Sequence, residues 1–224
     1  MKTHLLLTFG LLTVSVAPTL AQGRFSVGFR AAPVLNHNHT NVTFRVPDGT
    51  GQLTDTTFDL RASVGGYSAG LSVQYAFTPK WSLSTGVWFT QLRTTQPFPF
   101  TSGNVPSRVV TSSYQVPLLL NYRLTARRLS PYVTAGALGY FRGKTTYKPV
   151  EGSGFRKTSV KFGQAVNVQA VVGAGVAYQL TPRWLLTVQP LLLWRFPPER
   201  KSDVRYNQFV SYQVHGQVQF VYSL

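Results

Sequence analysis

Strict two-residue alternation of apolar and polar side chains runs through the end of the chain and limits its fold more than any other feature. From 210 to 224 the even positions read Val, Tyr, Val, Gly, Val, Phe, Tyr, Leu, and six of the seven odd positions are Ser, Gln or His. The segment 66–77 (GYSAGLSVQYAF) alternates in the same way. A period of two belongs to β-strands that have one apolar face, so the pattern predicts an all-β fold.

Eight such strands are predicted, and the connections between them alternate in length. The predicted strands are 23–33, 62–77, 81–93, 108–124, 131–142, 162–180, 184–196 and 206–224. The connections 78–80, 125–130 and 181–183 are short, whereas 34–61, 94–107, 143–161 and 197–205 are long and polar. This is typical of an eight-stranded antiparallel up-and-down transmembrane β-barrel with short periplasmic turns and long extracellular loops. The longest predicted loop, 34–61, is the expected partner site.

Residue size predicts which face of each strand points outward. Leu, Val, Phe, Tyr and Trp fill one face, whereas Gly, Ser, Gln and Thr predominate on the other. A soluble barrel needs its large apolar side chains inside, but eight strands enclose a space that side chains only just fill. We therefore expect the small residues to line the lumen and the bulky face to contact lipid. A Lys or Arg on that face would cost about 2–4 kcal/mol at the bilayer midplane.

Residues 1–21 are predicted to be a cleaved signal peptide, which leaves 22–224 as a single outer-membrane barrel domain. Lys2 and His4 precede an apolar run that leads to Ala21. A basic start, a short apolar run and a small residue at the end form the layout of an exported chain. The alternatives are a core strand or a membrane anchor, and the apolar run is too short to span a bilayer as a helix.

Charge and cysteine content exclude several classes of partner and chemistry. Lys and Arg number 22 against 6 Asp and Glu, and there is no Cys. A basic chain can bind nucleic acid, but for an exported protein we expect lipid headgroups and lipopolysaccharide phosphates instead. The lack of Cys excludes disulfides, thiolate metal sites and thiol catalysis. The six acids, which are expected only between strands, are Asp48, Asp55, Asp59, Glu151, Glu199 and Asp203.

Outward aromatic residues recur ten positions apart on three strands, which predicts two girdles at the membrane interfaces. Ten tilted strand residues rise about 25 Å, the distance between the girdles of outer-membrane barrels. The predicted girdle residues are Tyr67, Tyr75, Phe77, Trp81, Tyr122, Tyr178, Trp184, Trp194, Tyr212 and Tyr222. The repeated units Thr-Pro-Lys-Trp (78–81) and Thr-Pro-Arg-Trp (181–184) are predicted to be equivalent periplasmic turns, because Pro presets φ for a turn.

Several segments resemble the outer-membrane β-barrel family of Bacteroidetes-type bacteria, whose members are labelled PorT-like or porin family proteins. The most specific pieces are Tyr-x-Val-Pro-Leu-x-Leu-x-Tyr at 114–122 and Pro-Tyr-x-x-x-Gly at 131–136. The resemblance implies an eight-stranded barrel in the outer membrane. Members usually end in an aromatic that the barrel assembly machinery reads, whereas this chain ends in Leu224 behind Tyr222. We expect that machinery to remain a partner, and a role in protein export is implied for some relatives.

Three arginines are the candidate binding residues of the lumen. Alternation places Arg30, Arg123 and Arg195 on polar faces, where they would contact anions in a vestibule. The alternative is pairing at the loop rim with Asp59, Glu199 or Asp203, together with solvent, because buried charges are normally paired. Mutation of Arg195 to Ala should then change anion binding only in the first case.

Histidine patterns give weak signals for chemistry. His37 and His39 have a metal-like spacing without a third fixed ligand. Ser211 and His215 share a face, but four strand residues separate them by about 13 Å and no carboxylate is expected nearby. We therefore expect no metal, no cofactor and no catalytic residue.

Three functions remain open. The first is a closed structural or interaction barrel whose loops contact a partner or lipopolysaccharide. The second is a narrow, anion-preferring channel, which the small lining and the arginines allow but the number of strands disfavours. The third is a lipid-modifying enzyme, which the missing carboxylate disfavours.

Overall fold

The fold consists of long antiparallel strands. The computed structural model describes residues 24–47, 52–97, 106–149, 158–161, 166–197 and 204–224. Within these ranges there are nine strands: β1 Arg24–Pro47, β2 Leu53–Ala76, β3 Trp81–Pro97, β4 Pro106–Arg123, β5 Leu129–Pro149, β6 Thr158–Lys161, β7 Val166–Gln179, β8 Trp184–Arg195 and β9 Val204–Ser223. In these same parts of the chain, no helix has the length and apolar character needed to cross a membrane.

Eight of the strands form a closed ring. The order β4-β3-β2-β1-β9-β8-β7-β5 is completed by pairing between β4 and β5, and every pairing is antiparallel. Closure removes the unpaired strand edges that an open sheet would expose. The predicted eight-stranded barrel is therefore confirmed. The short β6 is an addition, which pairs with Lys144–Tyr147 of β5 on the edge that β7 uses at 129–141, because β4 pairs with the other edge.

The two faces of the wall differ as the alternation predicts. On the outer face Leu71 is 67% exposed and Phe29 is 52% exposed, whereas the inward Arg30 and Gln217 are 0% and 2% exposed. Large apolar side chains at the surface of a closed ring need an apolar solvent, because a water-soluble surface rarely holds a large continuous apolar patch. The outer face therefore fits lipid.

The prediction that residues 34–61 form a loop is wrong for most of that segment. β1 and β2 stay paired from Val34 opposite Gly66 to Pro47 opposite Leu53, and β9 pairs with β1 as far as Phe44. Apolar alternation ends here, so this part of the wall lacks a lipid-compatible outer face, although its backbone still pairs. We call residues 38–47, 53–62 and 204–211 the outer extension.

The predicted position of the acids is also wrong in part. Asp55 and Asp59 lie within β2, in the outer extension, rather than between strands. Both are exposed, so they do not enter the lumen. The other acids, which are Asp48, Glu151, Glu199 and Asp203, lie outside the described residues.

The two Thr-Pro-base-Trp units form the same turn at the opposite end of the barrel. The Thr78 hydroxyl accepts hydrogen bonds from the Lys80 and Trp81 amides, at 3.3 and 2.8 Å. The Thr181 hydroxyl accepts from the Arg183 and Trp184 amides, at 3.3 and 3.1 Å. Such local bonds from threonine favour turns, so the repeat has a structural explanation. We call this end of the barrel the turn end.

Candidate functional site: the barrel lumen

The middle of the lumen is filled by large side chains, which differs from the predicted lining of Gly, Ser, Gln and Thr. A buried apolar cluster projects inward from β3, β4, β5, β7 and β8, and consists of Trp88, Leu119, Leu138, Tyr140, Val171, Leu191 and Leu193. Small or polar buried residues, among them Ser68 and Ser72, line the β2 side. The cross-section of a narrow barrel is filled when large residues face small ones. The pattern of any single strand does not show this, so the predicted lining residues were too small.

Arg30 completes this packing from β1. Its guanidinium carbon lies 3.6 Å from the centroid of the Trp88 ring, which is a cation–π contact. Its Nη2 donates to Nδ1 of His215 at 3.1 Å. Because a guanidinium only donates hydrogen bonds, His215 carries its proton on Nε2, which donates to Oε1 of Gln213 at 3.3 Å. We call Arg30, His215 and the seven residues of the apolar cluster the lumen layer.

No carboxylate balances the charge of Arg30 within the described part of the chain. Arg30 is 0% exposed, and its Nε and Nη1 atoms have no hydrogen-bond partner among the described residues. Of the rim acids predicted to reach Arg30, Asp59 pairs with His39 and Arg61 instead, and Glu199 and Asp203 lie outside the described residues. Burying a cation without an ionic partner costs stability, which the cation–π contact offsets only in part.

Two cavities lie on opposite sides of the lumen layer. The turn-end cavity has a volume of about 470 Å³, and the outer cavity has a volume of about 260 Å³. They share no lining residue, and neither is lined by Trp88, Leu138, Leu191 or Leu193. The lumen layer therefore separates the two mouths of the barrel.

The structure separates the three predicted arginines rather than bringing them together. Arg123 lines the turn-end cavity, where its Nη2 donates to the Pro79 carbonyl at 2.8 Å. Arg195 lines the outer cavity, with its guanidinium carbon 5.1 Å from the centroid of the Tyr140 ring. Arg30 lies between them, so their shared role in one vestibule stays a prediction that this arrangement does not favour.

Sequence reasoning missed Arg142, which also lines the outer cavity. Its charge acts electrostatically on Arg195. The available signal was the alternation of β5, which places Arg142 on the same inward face as Thr134, Leu138 and Tyr140. The residue was overlooked because it stands at the last position of the predicted strand.

The profile of a family described as "Outer membrane protein beta-barrel domain" matches residues 17–191. The chain belongs to this family. Its predicted localisation in the outer membrane is thereby confirmed. A search of curated proteins found no match.

Several solved outer-membrane barrels are similar to this family member. Neisserial surface protein A is 14% identical, with 88% of this chain and 96% of that chain covered and a TM-score of 0.46. OprG from Pseudomonas aeruginosa is 15% identical, with 90% and 96% covered and a TM-score of 0.46. The outer membrane protease OmpT from Escherichia coli is 10% identical, with 92% and 99% covered and a TM-score of 0.39. At these identities and scores the likeness supports no conclusion about function.

The predicted girdle residues lie at the two ends of the apolar surface of this outer-membrane barrel. At the turn end, Trp81 packs against Tyr122 and Trp184 packs against Tyr222, with ring centroids 4.5 and 5.0 Å apart. Tyr75, Phe77 and Tyr178 lie at the same end, whereas Tyr67, Trp194 and Tyr212 lie toward the outer extension. Contact of these rings with the membrane interface stays a prediction.

The histidines are engaged in local hydrogen bonds. His37 pairs with Ser63 at 2.9 Å, and His39 pairs with Asp59 at 2.8 Å. Across the described ranges, no three His, Cys, Asp or Glu side chains are grouped as a metal ion would require. Ser211 hydrogen-bonds Asn38, whereas both ring nitrogens of His215 are taken by Arg30 and Gln213.

Proposed function

We propose that this outer-membrane barrel is closed and acts through its outer surface. The observation that carries the proposal is the lumen layer, which fills the cross-section between two cavities that share no lining residue. Side chains in close-packed interiors leave few voids as large as a water molecule, so a packed layer leaves no continuous path for ions. The narrower PorT-like membership stays a prediction that rests on the segments 114–122 and 131–136.

The outer surface carries a set of bases that suits anionic lipid. Exposed Lys and Arg outside the outer cavity occur on β2, β3, β4, β5 and β9 toward the outer end, and they are Arg61, Arg93, Arg108, Lys144, Lys148 and Arg205. We call these six residues the outer basic rim. Bases next to the membrane surface attract anionic headgroups by about 1 kcal/mol each. The proposed contact is therefore with the phosphates of lipopolysaccharide.

Charge removal at the two ends of the barrel tests this contact. The outer variant replaces Arg93, Arg108, Lys148 and Arg205 with Gln, and the matched turn-end control replaces Lys80, Arg127, Arg128 and Arg183 with Gln. We expect lipopolysaccharide binding to the purified barrel to weaken, and to lose much of its salt dependence, only in the outer variant. Equal loss in both variants would mean that net charge alone attracts lipopolysaccharide, and the proposal would fail.

A narrow anion channel is the second candidate, and the three arginines favour it. Arg123, Arg30 and Arg195 stand at the turn end, the middle and the outer end of one lumen, which is a plausible series of contacts for a permeating anion. Such a channel requires the lumen layer to open. Anion-selective conductance of the wild-type protein would favour this second function.

We do not propose the lipid-modifying enzyme. Ser211 bonds Asn38 rather than His215, and Arg30 occupies the nitrogen of His215 that a catalytic carboxylate would need to orient.

A further inference from the structure

We propose that the outer cavity is a binding site for a phosphate group, formed mainly by Arg142 and Arg195 at the inner mouth of the outer extension. This inference goes beyond the closed barrel, because neither a closed nor a conducting barrel requires such a site. Conductance tests the closed barrel and ligand binding tests the phosphate site, so either proposal can fail without the other.

Positive charge dominates the lining of the outer cavity. Arg142 and Arg195 both line it, and Arg142 is close enough for its charge to act on Arg195. None of the described lining residues is Asp or Glu. Two like charges in one partly enclosed space raise each other's energy, and a bound dianion would relieve that repulsion.

Arg195 keeps hydrogen-bonding capacity inside the cavity. Its Nε atom is buried and has no hydrogen-bond partner among the described residues. Its guanidinium carbon lies 5.1 Å from the centroid of the Tyr140 ring, a cation–π contact that uses none of its N–H donors. A guanidinium that lies against an aromatic ring and keeps a donor without a described partner can recognise phosphate oxygens.

Two asparagines supply further donors. The side-chain oxygen of Asn36 accepts from Gln213 at 3.0 Å, and that of Asn38 accepts from the Ser211 hydroxyl. With their oxygens engaged, both carboxamides offer N–H groups on the wall of the cavity, which they line. The lining is thus rich in donors as well as positively charged.

One of the three acids predicted to pair with the arginines at this end is engaged elsewhere. Asp59 accepts from Arg61 at 3.1 Å and pairs with His39 at 2.8 Å, in the outer extension. Glu199 and Asp203 lie outside the described residues. The experiment therefore includes a variant in which both are neutralised.

The cavity has a size that fits a small phosphorylated solute. Its volume is about 260 Å³, just below the range of about 300–1,000 Å³ that is typical of small-molecule sites. The rings of Tyr140 and Tyr147 on its wall provide an apolar surface beside the charges. Phosphate can come from a free solute or from a lipid headgroup, and the two sources are separated below.

Calorimetric titration of the purified full barrel tests the site. The probes are inorganic phosphate and glucose 6-phosphate, with glucose as the neutral control. We expect both phosphates to bind and glucose to give no signal. Arg142→Gln and Arg195→Gln should each weaken binding about 10-fold, as expected for loss of a charge-assisted contact. Arg123→Gln, at the other mouth, should leave the affinity unchanged.

Three outcomes would contradict the proposed phosphate site. The first is no binding by the wild-type protein. The second is binding that Arg123→Gln weakens as much as Arg195→Gln does. The third is binding that appears only in the Glu199→Gln/Asp203→Asn variant, because the arginines would then be neutralised within the chain. The heat-dependent gel shift of each variant shows whether it has folded.

Prior saturation with lipopolysaccharide distinguishes the two sources of phosphate. Loss of glucose 6-phosphate binding after saturation would identify the bound group as that of a lipid headgroup. Unchanged binding would identify a free solute as the ligand.

Discussion

The embedded barrel and the outer extension share strands but follow different rules. Between the predicted girdles the outward residues are mostly large, apolar and exposed, and the inward residues pack across the lumen, so both faces are specified. In the outer extension the same β1 and β2 continue with mostly polar residues on both faces, exposed on β2 and mostly half-buried on β1, as at Asn41 opposite Asp59. Backbone pairing therefore continues beyond the residues that carry an apolar outer face and a packed inner face. This difference predicts where substitutions are costly.

The largest difference in the free energy of unfolding is expected between alanine substitutions of two aromatic residues. Trp88→Ala removes the largest side chain of the lumen layer and the cation–π partner of Arg30, and should lower the free energy of unfolding by about 3–5 kcal/mol. Phe58→Ala removes a side chain that is 45% exposed and whose ring centroid lies 5.8 Å from that of Phe44. This change should lower the free energy of unfolding by about 0.5–1.5 kcal/mol. Denaturant unfolding in lipid vesicles measures both. Similar losses would mean that the lumen layer is not tightly packed.

The next largest difference in the free energy of unfolding is expected when an arginine replaces a leucine at two positions along β2. Leu71 and Leu60 are 67% and 58% exposed, but only Leu71 lies between the predicted girdle residues Tyr67 and Phe77. Leu71→Arg should cost about 2–4 kcal/mol in lipid, and Leu60→Arg about 0–1 kcal/mol. Unfolding of both variants in the same vesicles tests this difference. Equal costs would place the membrane boundary elsewhere on β2.

Replacement of the buried cation should not destabilise the embedded part. Arg30→Met keeps similar volume and removes a charge that has no described ionic partner. We expect the free energy of unfolding to stay level or to rise, by up to about 1–4 kcal/mol. A loss above about 1 kcal/mol would instead show that the contacts with Trp88 and His215, or a counter-charge, outweigh the cost of burying the guanidinium. Arg61→Met, in the outer extension, is the exposed control.

The smallest effect is a response of the outer extension to acid. The hydrogen bond from Arg61, followed by that from His39, lowers the pKa of Asp59 from its ordinary value of 3.8. A lowered carboxyl pKa gives stability that is fully present above the unfolded value and is lost as the pH falls through the folded value. Protection of the backbone amides around Asp59 against exchange, relative to the intrinsic rate at each pH, should therefore fall below about pH 4, while the embedded strands stay protected. Asp59→Asn should abolish this pH dependence, and a response that persisted in this variant would assign it to another group.

The contrast also explains how much of the molecule its sequence predicts. Alternation identified the eight strands and the outward face because lipid imposes one rule on residues such as Leu71 and Val218. It failed at 34–61, since polar residues on both faces of a strand look like a loop. It also missed the lumen layer, because packing of Trp88 against residues of other strands depends on the stagger of the barrel and not on any one strand. Arg30 was correctly predicted to point inward, but its contacts with Trp88 and His215 required the register of three strands.

The central claim is that the lumen layer closes the barrel, and single-channel conductance tests it most directly. The full barrel would be purified, its fold confirmed by the heat-dependent gel shift, and its insertion into a planar bilayer verified before recording. The account predicts a current that stays at baseline. Steady anion-selective steps that disappear when Arg30 and Arg195 are replaced would contradict it, and would show that the lumen conducts.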